Sequence, residues 1–168
     1  TRCKPEYIRA IYEDLDWLGF DWPIPARIQS QHRADYAGVI KTLNEKGLLY
    51  RCFKTRKELP PADDNGVYRG GPASDEAARL TAQEKFAWRL SMDKVEAYLG
   101  ETGMPFSDEI LARKDIGTTY HVACCHDDAL QGVTHVVRGA DIQPLTGFQN
   151  LLQGLMGWPV PEYIHHAL

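Results

Sequence analysis

At 168 residues the chain is long enough for one globular domain with its own core, and its 43% apolar and 25% charged residues are ordinary for a folded protein. Nineteen basic against 23 acidic residues give a net charge of −4, which excludes a general pull toward DNA or an anionic membrane but leaves room for a local RNA-binding patch. No apolar run approaches the roughly 20 residues that span a bilayer, and Cys3, Cys52, Cys124 and Cys125 contain no C-x-x-C pair, which suits a reducing, cytoplasmic setting.

The N-terminus, Thr1-Arg2-Cys3-Lys4-Pro5-Glu6, has neither a start Met nor a charged region leading into an apolar one. It reads as an internal piece of a longer chain. Residues 5–18 have helical periodicity, with Tyr7, Ile8, Ile11, Leu15 and Leu18 on one face and Gly19 as the stop. Pro23 and Pro25 bar its continuation. Ser30 is a good N-cap for a second helix over 31–46, whose buried stripe is Tyr36, Val39, Ile40 and Leu43. A strand follows Gly47 at residues 48–53, and this order suits the crossover part of an α/β fold.

Residues 60–73 are loop-like, and a short helix is expected from near Ser74, continuing over 81–85. Residues 86–90 alternate as a strand, 93–99 are weakly helical, and 109–114 read as another strand. Two short apolar runs, Val122–Cys125 and Val133–Val137, predict a pair of buried strands broken by an acidic pair and a turn at Gly132. Residues 147–156 form a helix stopped by Gly157-Trp158-Pro159, and Tyr163-Ile164-His165-His166 opens a further element.

Phosphate-loop, G-x-G-x-x-G, H-E-x-x-H and G-x-S-x-G motifs are absent. The histidine pairs 121/126 and 165/166 lack the spaced partners of a metal site. Asp127 and Asp128 suit either one magnesium contact or a turn role, because neighbours on a strand face opposite ways. Cys124 and Cys125 read as packed free thiols. Arg138 closes an apolar strand, where its planar fork matches a carboxylate and Tyr120 can add a phenolic donor; a solvated salt bridge is the other reading.

Several segments resemble the catalytic domain of glutamyl-tRNA synthetases, of the class I aminoacyl-tRNA synthetase family. They are residues 16–22 (DWLGFDW), 27–31 (RIQSQ), 47–53 (GLLYRCF), 87–90 (AWRL), 120–123 (YHVA), 127–128 (DD), 132–139 (GVTHVVRG) and 157–165 (GWPVPEYIH). Nearly the whole chain is covered, in the right order. Arg138-Gly139-Ala140-Asp141-Ile142 is most similar to the Arg-Gly-Ala-Asp-Leu signature of the family's truncated branch, which acts on the queuosine of tRNA(Asp). Full-length members more usually have Arg-Gly-Glu-Asp-His there.

The resemblance implies an α/β, Rossmann-type class I aminoacyl-tRNA synthetase catalytic domain. Its small inserted acceptor-binding region would cover about residues 52–110. It implies glutamate, ATP with Mg2+, and tRNA(Asp) carrying queuosine as partners, with no DNA and no membrane. Tyr120 and Arg138 match the residues that hold glutamate, and Asp141 an acidic position lining the ATP/glutamate pocket. The zinc-binding positions of related enzymes fall on Cys52, Lys54, Tyr68 and Pro72. Lys54 is a cation and Pro72 has no ligand atom, so zinc is expected to be absent. The two signatures that hold ATP phosphates are expected before Thr1 and after Leu168, and the connection before Glu109 is shorter than in the family. No catalytic residue is therefore expected within this segment, which alone should be inactive. The rival readings are a glutamyl-tRNA synthetase charging tRNA(Glu), a non-catalytic paralogue that binds tRNA or amino acid, and a metal-dependent binding module.

Overall fold

The computed structural model describes residues 4–22, 25–115 and 117–168. The expected free thiol at Cys3 and the helix-barring Pro23 lie outside them. The chain divides into two compact units, Thr1–Gln31 and His32–Leu168. In the first, helix α1 (Pro5–Trp17) begins with proline at N1, where the missing N–H costs nothing. Its end turns back through a bond from Phe20 N to Leu15 O, and Tyr12 stacks on Trp22. Gln29–Gln31 form a 3-10 turn closed by Gln31 N on Ile28 O.

The second unit opens with α2 (Arg33–Glu45), which starts two residues later than expected, because Ser30 lies inside the 3-10 turn and His32 takes the cap position. The predicted stripe of Tyr36, Val39, Ile40 and Leu43 is buried. Strand β1 (Leu49–Cys52), helix α3 (Glu76–Thr81), strand β2 (Ala87–Leu90), helix α4 (Met92–Leu99) and strand β3 (Ile110–Ala112) follow. The three strands form one antiparallel sheet in the order β1-β2-β3, so β1 is not part of a parallel crossover. The short helix ends at Thr81, before the expected 81–85 extension.

Helix α5 (Tyr120–Gln131) replaces the first of the two predicted strands. A short apolar run cannot distinguish a buried strand from one face of a helix. Here Val122 and Cys125, and Ala123 and Asp127, fall three and four apart and are buried together. Gly132 is the helix stop rather than a hairpin turn: its φ of +67° lets Val133 N reach back to Asp128 O at 2.9 Å. Strand β4 (His135–Gly139) lies where the second strand was expected, but only one of its faces is covered, and Val137 is 66% exposed.

A 3-10 segment (Ala140–Leu145) and α6 (Thr146–Met156) then return the chain to β5 (Glu162–His166). β5 pairs in parallel with β4, with Arg138 opposite His165. This β–α–β return is the Rossmann-like part of the unit. The core joins α2, α4, α5, α6, β2 and β3 around Leu43, Leu90, Val95, Leu111, Val122 and Leu152. No helix among the described residues is long and apolar enough to cross a membrane.

Candidate functional site

The site is built where β4, β5, α5 and α6 converge on Arg138. Along β4 the residues alternate, so Val136 and Arg138 turn toward the helices while His135 and Val137 face outward. On β5 the same alternation turns Tyr163 and His165 inward. The guanidinium is half-buried, and each of its three nitrogens has a partner. Nε donates to His165 Nε2 at 3.2 Å, Nη1 to Gln149 Oε1 at 2.8 Å and Nη2 to Thr146 Oγ1 at 2.6 Å. Its carbon lies 4.6 Å from the centre of the Tyr163 ring, a cation–π contact.

None of those partners is a carboxylate. Among the described residues Arg138 forms no salt bridge, so its charge is held in place without being neutralised. An arginine has five N–H donors, and three are engaged; one on each Nη remains. That pair suits a ligand carboxylate.

The charge is felt around the site. Burial, then Arg138, holds the His121 imidazole below its ordinary pKa of 6.5. Burial and the neighbouring Asp127 raise the Asp128 carboxyl, and Arg138 offsets part of that. Burial pushes the Tyr163 hydroxyl up to about 12. The Cys124 thiol is lowered chiefly by its bond with Cys125, whose own thiol is raised; Gln149 Nε2 also donates to Cys124 Sγ at 3.2 Å. These are the packed free thiols expected of the pair.

Tyr120 opens α5 and is 54% exposed. It makes no hydrogen bond to Arg138 among the described residues. The Tyr120 ring lies 6.2 Å from the ring of His121, which senses the Arg138 charge and meets Phe148 edge-on at 5.0 Å. Asp141 is exposed on the 3-10 segment just past β4. The acidic pair sits on a helix and not a strand, so its two members diverge by a helical step. Asp127 is buried and accepts the Tyr36 hydroxyl at 2.8 Å, tying α5 to α2, while Asp128 is half-buried.

Thr146, Gln149 and His165 escape a reading of the sequence. Gln149 and Gln153, one helical turn apart and both fully buried on an otherwise apolar face of α6, were the available signal. A buried amide needs a polar partner, and for Gln149 that partner is Arg138.

Cys52, Lys54, Tyr68 and Pro72 are brought together, lining one cavity of about 550 Å3. Cys52 offers a thiol and Tyr68 a phenol, but an ammonium and a proline ring occupy the other two positions. This donor set does not fit a tetrahedral zinc ion. Among the described residues no group of three or more His, Cys, Asp or Glu is placed to hold a metal.

The family model described as tRNA synthetases class I (E and Q), catalytic domain, matches residues 1–168. A glutamyl-Q tRNA(Asp) synthetase of Rhodobacter capsulatus is 33% identical over 197 residues, covering all of this chain and 71% of that protein. A glutamate–tRNA ligase of Coprothermobacter proteolyticus is 34% identical over 185 residues, covering 98% of this chain and 40% of its own length. The crystal structure of a glutamate–tRNA synthetase from Elizabethkingia anophelis superposes with a TM-score of 0.79 at 22% identity, over 99% of this chain and 41% of that one. The fold is thus that of a class I synthetase catalytic domain, and the chain spans between two fifths and about seven tenths of these relatives.

Proposed function

Because the chain belongs to the family of class I tRNA synthetase catalytic domains for glutamate and glutamine, we propose that it serves an enzyme that activates glutamate with ATP and transfers it to the queuosine base of tRNA(Asp). The observation that carries the substrate half of this reading is Arg138, held by three partners of which none is a carboxylate, with one N–H on each Nη to spare. An amino acid with two carboxylates gives it one to bind and leaves the other free to react. Tyr120 supplies a second donor, and Asp141 lines the ATP/glutamate pocket beyond the end of β4. The tRNA half rests on Ala140, which follows Arg138-Gly139 as in the queuosine-directed branch, on Ile142, an aliphatic residue in place of that branch's leucine, and on likeness to the Rhodobacter protein.

In the proposed reaction a glutamate carboxylate oxygen attacks the α-phosphorus of ATP, whose magnesium accompanies the phosphates, and pyrophosphate leaves. A hydroxyl of the queuosine cyclopentenediol then attacks the carbonyl carbon of the adenylate, AMP leaves, and the hydroxyl proton passes to solvent. This chain's contribution is to bind and orient the amino acid. Positioning and charge stabilisation dominate such transfers, and no residue here need act as a general base. Residues 52–110, which hold α3, β2, α4 and their connections, are proposed as the inserted region that meets the acceptor RNA.

The test offers the full-length protein labelled glutamate and ATP, then queuosine-containing tRNA(Asp) and tRNA(Glu) separately. Label on tRNA(Asp), removed when the queuosine is absent, is the expected result. Label on tRNA(Glu) alone assigns the chain to the glutamate–tRNA ligase branch instead. No pyrophosphate exchange with glutamate would leave a binding paralogue.

A further inference from the structure

The guanidinium of Arg138 carries its charge on a plane, and the direction of its two spare N–H groups depends on what holds that plane. Two bonds fix one edge of it: Nε to His165 and Nη2 to Thr146. The two acceptors also touch each other, with Thr146 Oγ1 at 3.1 Å from His165 Nε2. Arg138 and His165 are register partners in the parallel ladder, so the backbone itself places the imidazole beside the guanidinium. Tyr163 completes the support. Its ring lies under the guanidinium and runs nearly parallel to the His165 ring, at 9° and 6.3 Å.

The donors and acceptors of this triangle close in one way. An arginine only donates. Nε2 of His165 must therefore accept, which leaves it without a proton and puts the ring proton on Nδ1. Thr146 Oγ1 must accept from Nη2, so its own hydrogen is the one available to point at His165 Nε2. An imidazolium, or the Nε2–H tautomer, would turn a donor against the Arg138 Nε–H.

We propose that His165 is a positioning residue for the amino-acid substrate: as a neutral, Nδ1-protonated imidazole it locks the Arg138 edge, with Thr146, so that the spare N–H pair faces the substrate carboxylate. This rests on the reading of Arg138 as the carboxylate anchor. His165 acts through Arg138 and not on the reacting atoms, so its loss should weaken glutamate binding while sparing ATP.

The full-length protein separates the two layers. In pyrophosphate exchange, His165→Leu should raise the glutamate KM roughly tenfold, the scale of one lost hydrogen bond to a charged group, with the ATP KM within about twofold. His165→Gln, which returns an oxygen acceptor, should recover most of that loss. In an Arg138→Ala background, His165→Leu should add nothing further. Two-bond 1H–15N correlation of the His165 ring should show Nδ1 protonated and Nε2 bare, a readout that requires no activity and no variant to fold. A normal glutamate response in Arg138→Ala would remove the anchor itself. A raised KM in Arg138→Ala beside an unchanged one in His165→Leu, or an Nε2–H tautomer, would overturn the role of His165 alone.

Discussion

Gln149 Oε1 accepts the Arg138 Nη1–H at 2.8 Å, and the same amide donates to Cys124 Sγ at 3.2 Å, so one buried glutamine joins β4 to α5 through α6. The choice of an amide matters. A carboxylate in that place would satisfy the guanidinium more strongly, but it would cancel the charge the site keeps. A neutral acceptor orients the arginine and leaves its charge unspent.

Replacing that amide tests the distinction. Gln149→Glu should create an internal ion pair with Arg138, keep stability near that of the wild type, and weaken glutamate binding about 30-fold or more, consistent with losing ~2–5 kcal/mol of charge-assisted bonding. Gln149→Leu should cost about 1.5–3 kcal/mol of stability through the lost bond to a charged group. Urea unfolding and glutamate titration of the full-length protein read the two effects separately. Undiminished glutamate binding in Gln149→Glu would mean that the Arg138 charge is not what the substrate meets.

Arg138 gives the direct case. Arg138→Ala should raise the glutamate requirement by the same ~2–5 kcal/mol. Arg138→Lys should recover only part of it, because a point charge replaces a planar fork that three partners have aligned. Glutamate dependence of pyrophosphate exchange is the measurement, and a near-normal curve for Arg138→Ala would sink the assignment.

Tyr120 should behave differently, being half-exposed at the start of α5. Tyr120→Phe is expected to change stability by less than about 0.5 kcal/mol, as for surface changes in general. Its glutamate KM should rise severalfold if the phenol donates to the substrate. Melting and KM measured together check both halves, and a large loss of stability would recast Tyr120 as a packing residue.

Asp108 is a structural counterpart, 1% exposed. Its Oδ2 accepts from Tyr50 OH at 3.1 Å and Gly70 N at 2.8 Å, and its Oδ1 from Met92 N at 2.8 Å. The backbone at Gly70 comes so close that a Cβ there would meet the Tyr50 and Tyr68 hydroxyls at 2.5 and 2.4 Å. Asp108→Ala leaves three donors unmet, two of them buried, and should destabilise by about 3–5 kcal/mol in urea unfolding. A loss below about 1 kcal/mol would show that the loop at 68–70 re-forms without it.

Two half-buried groups give opposite pH dependences. His121 is held below 6.5, so as pH falls through that value the unfolded chain takes up the proton first, and the stability of the neutral ring is lost. Between about pH 7.5 and 5.5 the melting temperature should fall less steeply for His121→Phe than for the wild type. Glu109 is raised above 4.5 by burial, so ionising it destabilises the fold; that cost is absent at low pH and complete above its folded pKa. Glu109→Gln should raise the melting temperature near pH 7 and lose that advantage near pH 4. Identical slopes for variant and wild type would mean that neither group's burial reaches the folding equilibrium.

The sequence by itself determined the family, through ordered motifs spread over the chain, and with it the fold class. It also determined the elements with strong local signals: α1, the buried stripe of α2, α6 and the short strands at 49–52 and 87–90. It singled out Arg138 from chemistry alone, as a fork at the end of an apolar run. Tertiary structure decided the rest. Residues 122–125 are helical because their neighbours present a matching helical face, which four apolar residues cannot announce on their own. β1 pairs antiparallel with β2 because of a partner 41 positions away, Leu49 opposite Leu90. The company of Arg138 comes from 8, 11 and 27 residues further along, at Thr146, Gln149 and His165. Local sequence encodes which residues share a face of one element, but hydrogen bonds between elements have no period, so only the packed chain sets which polar groups meet.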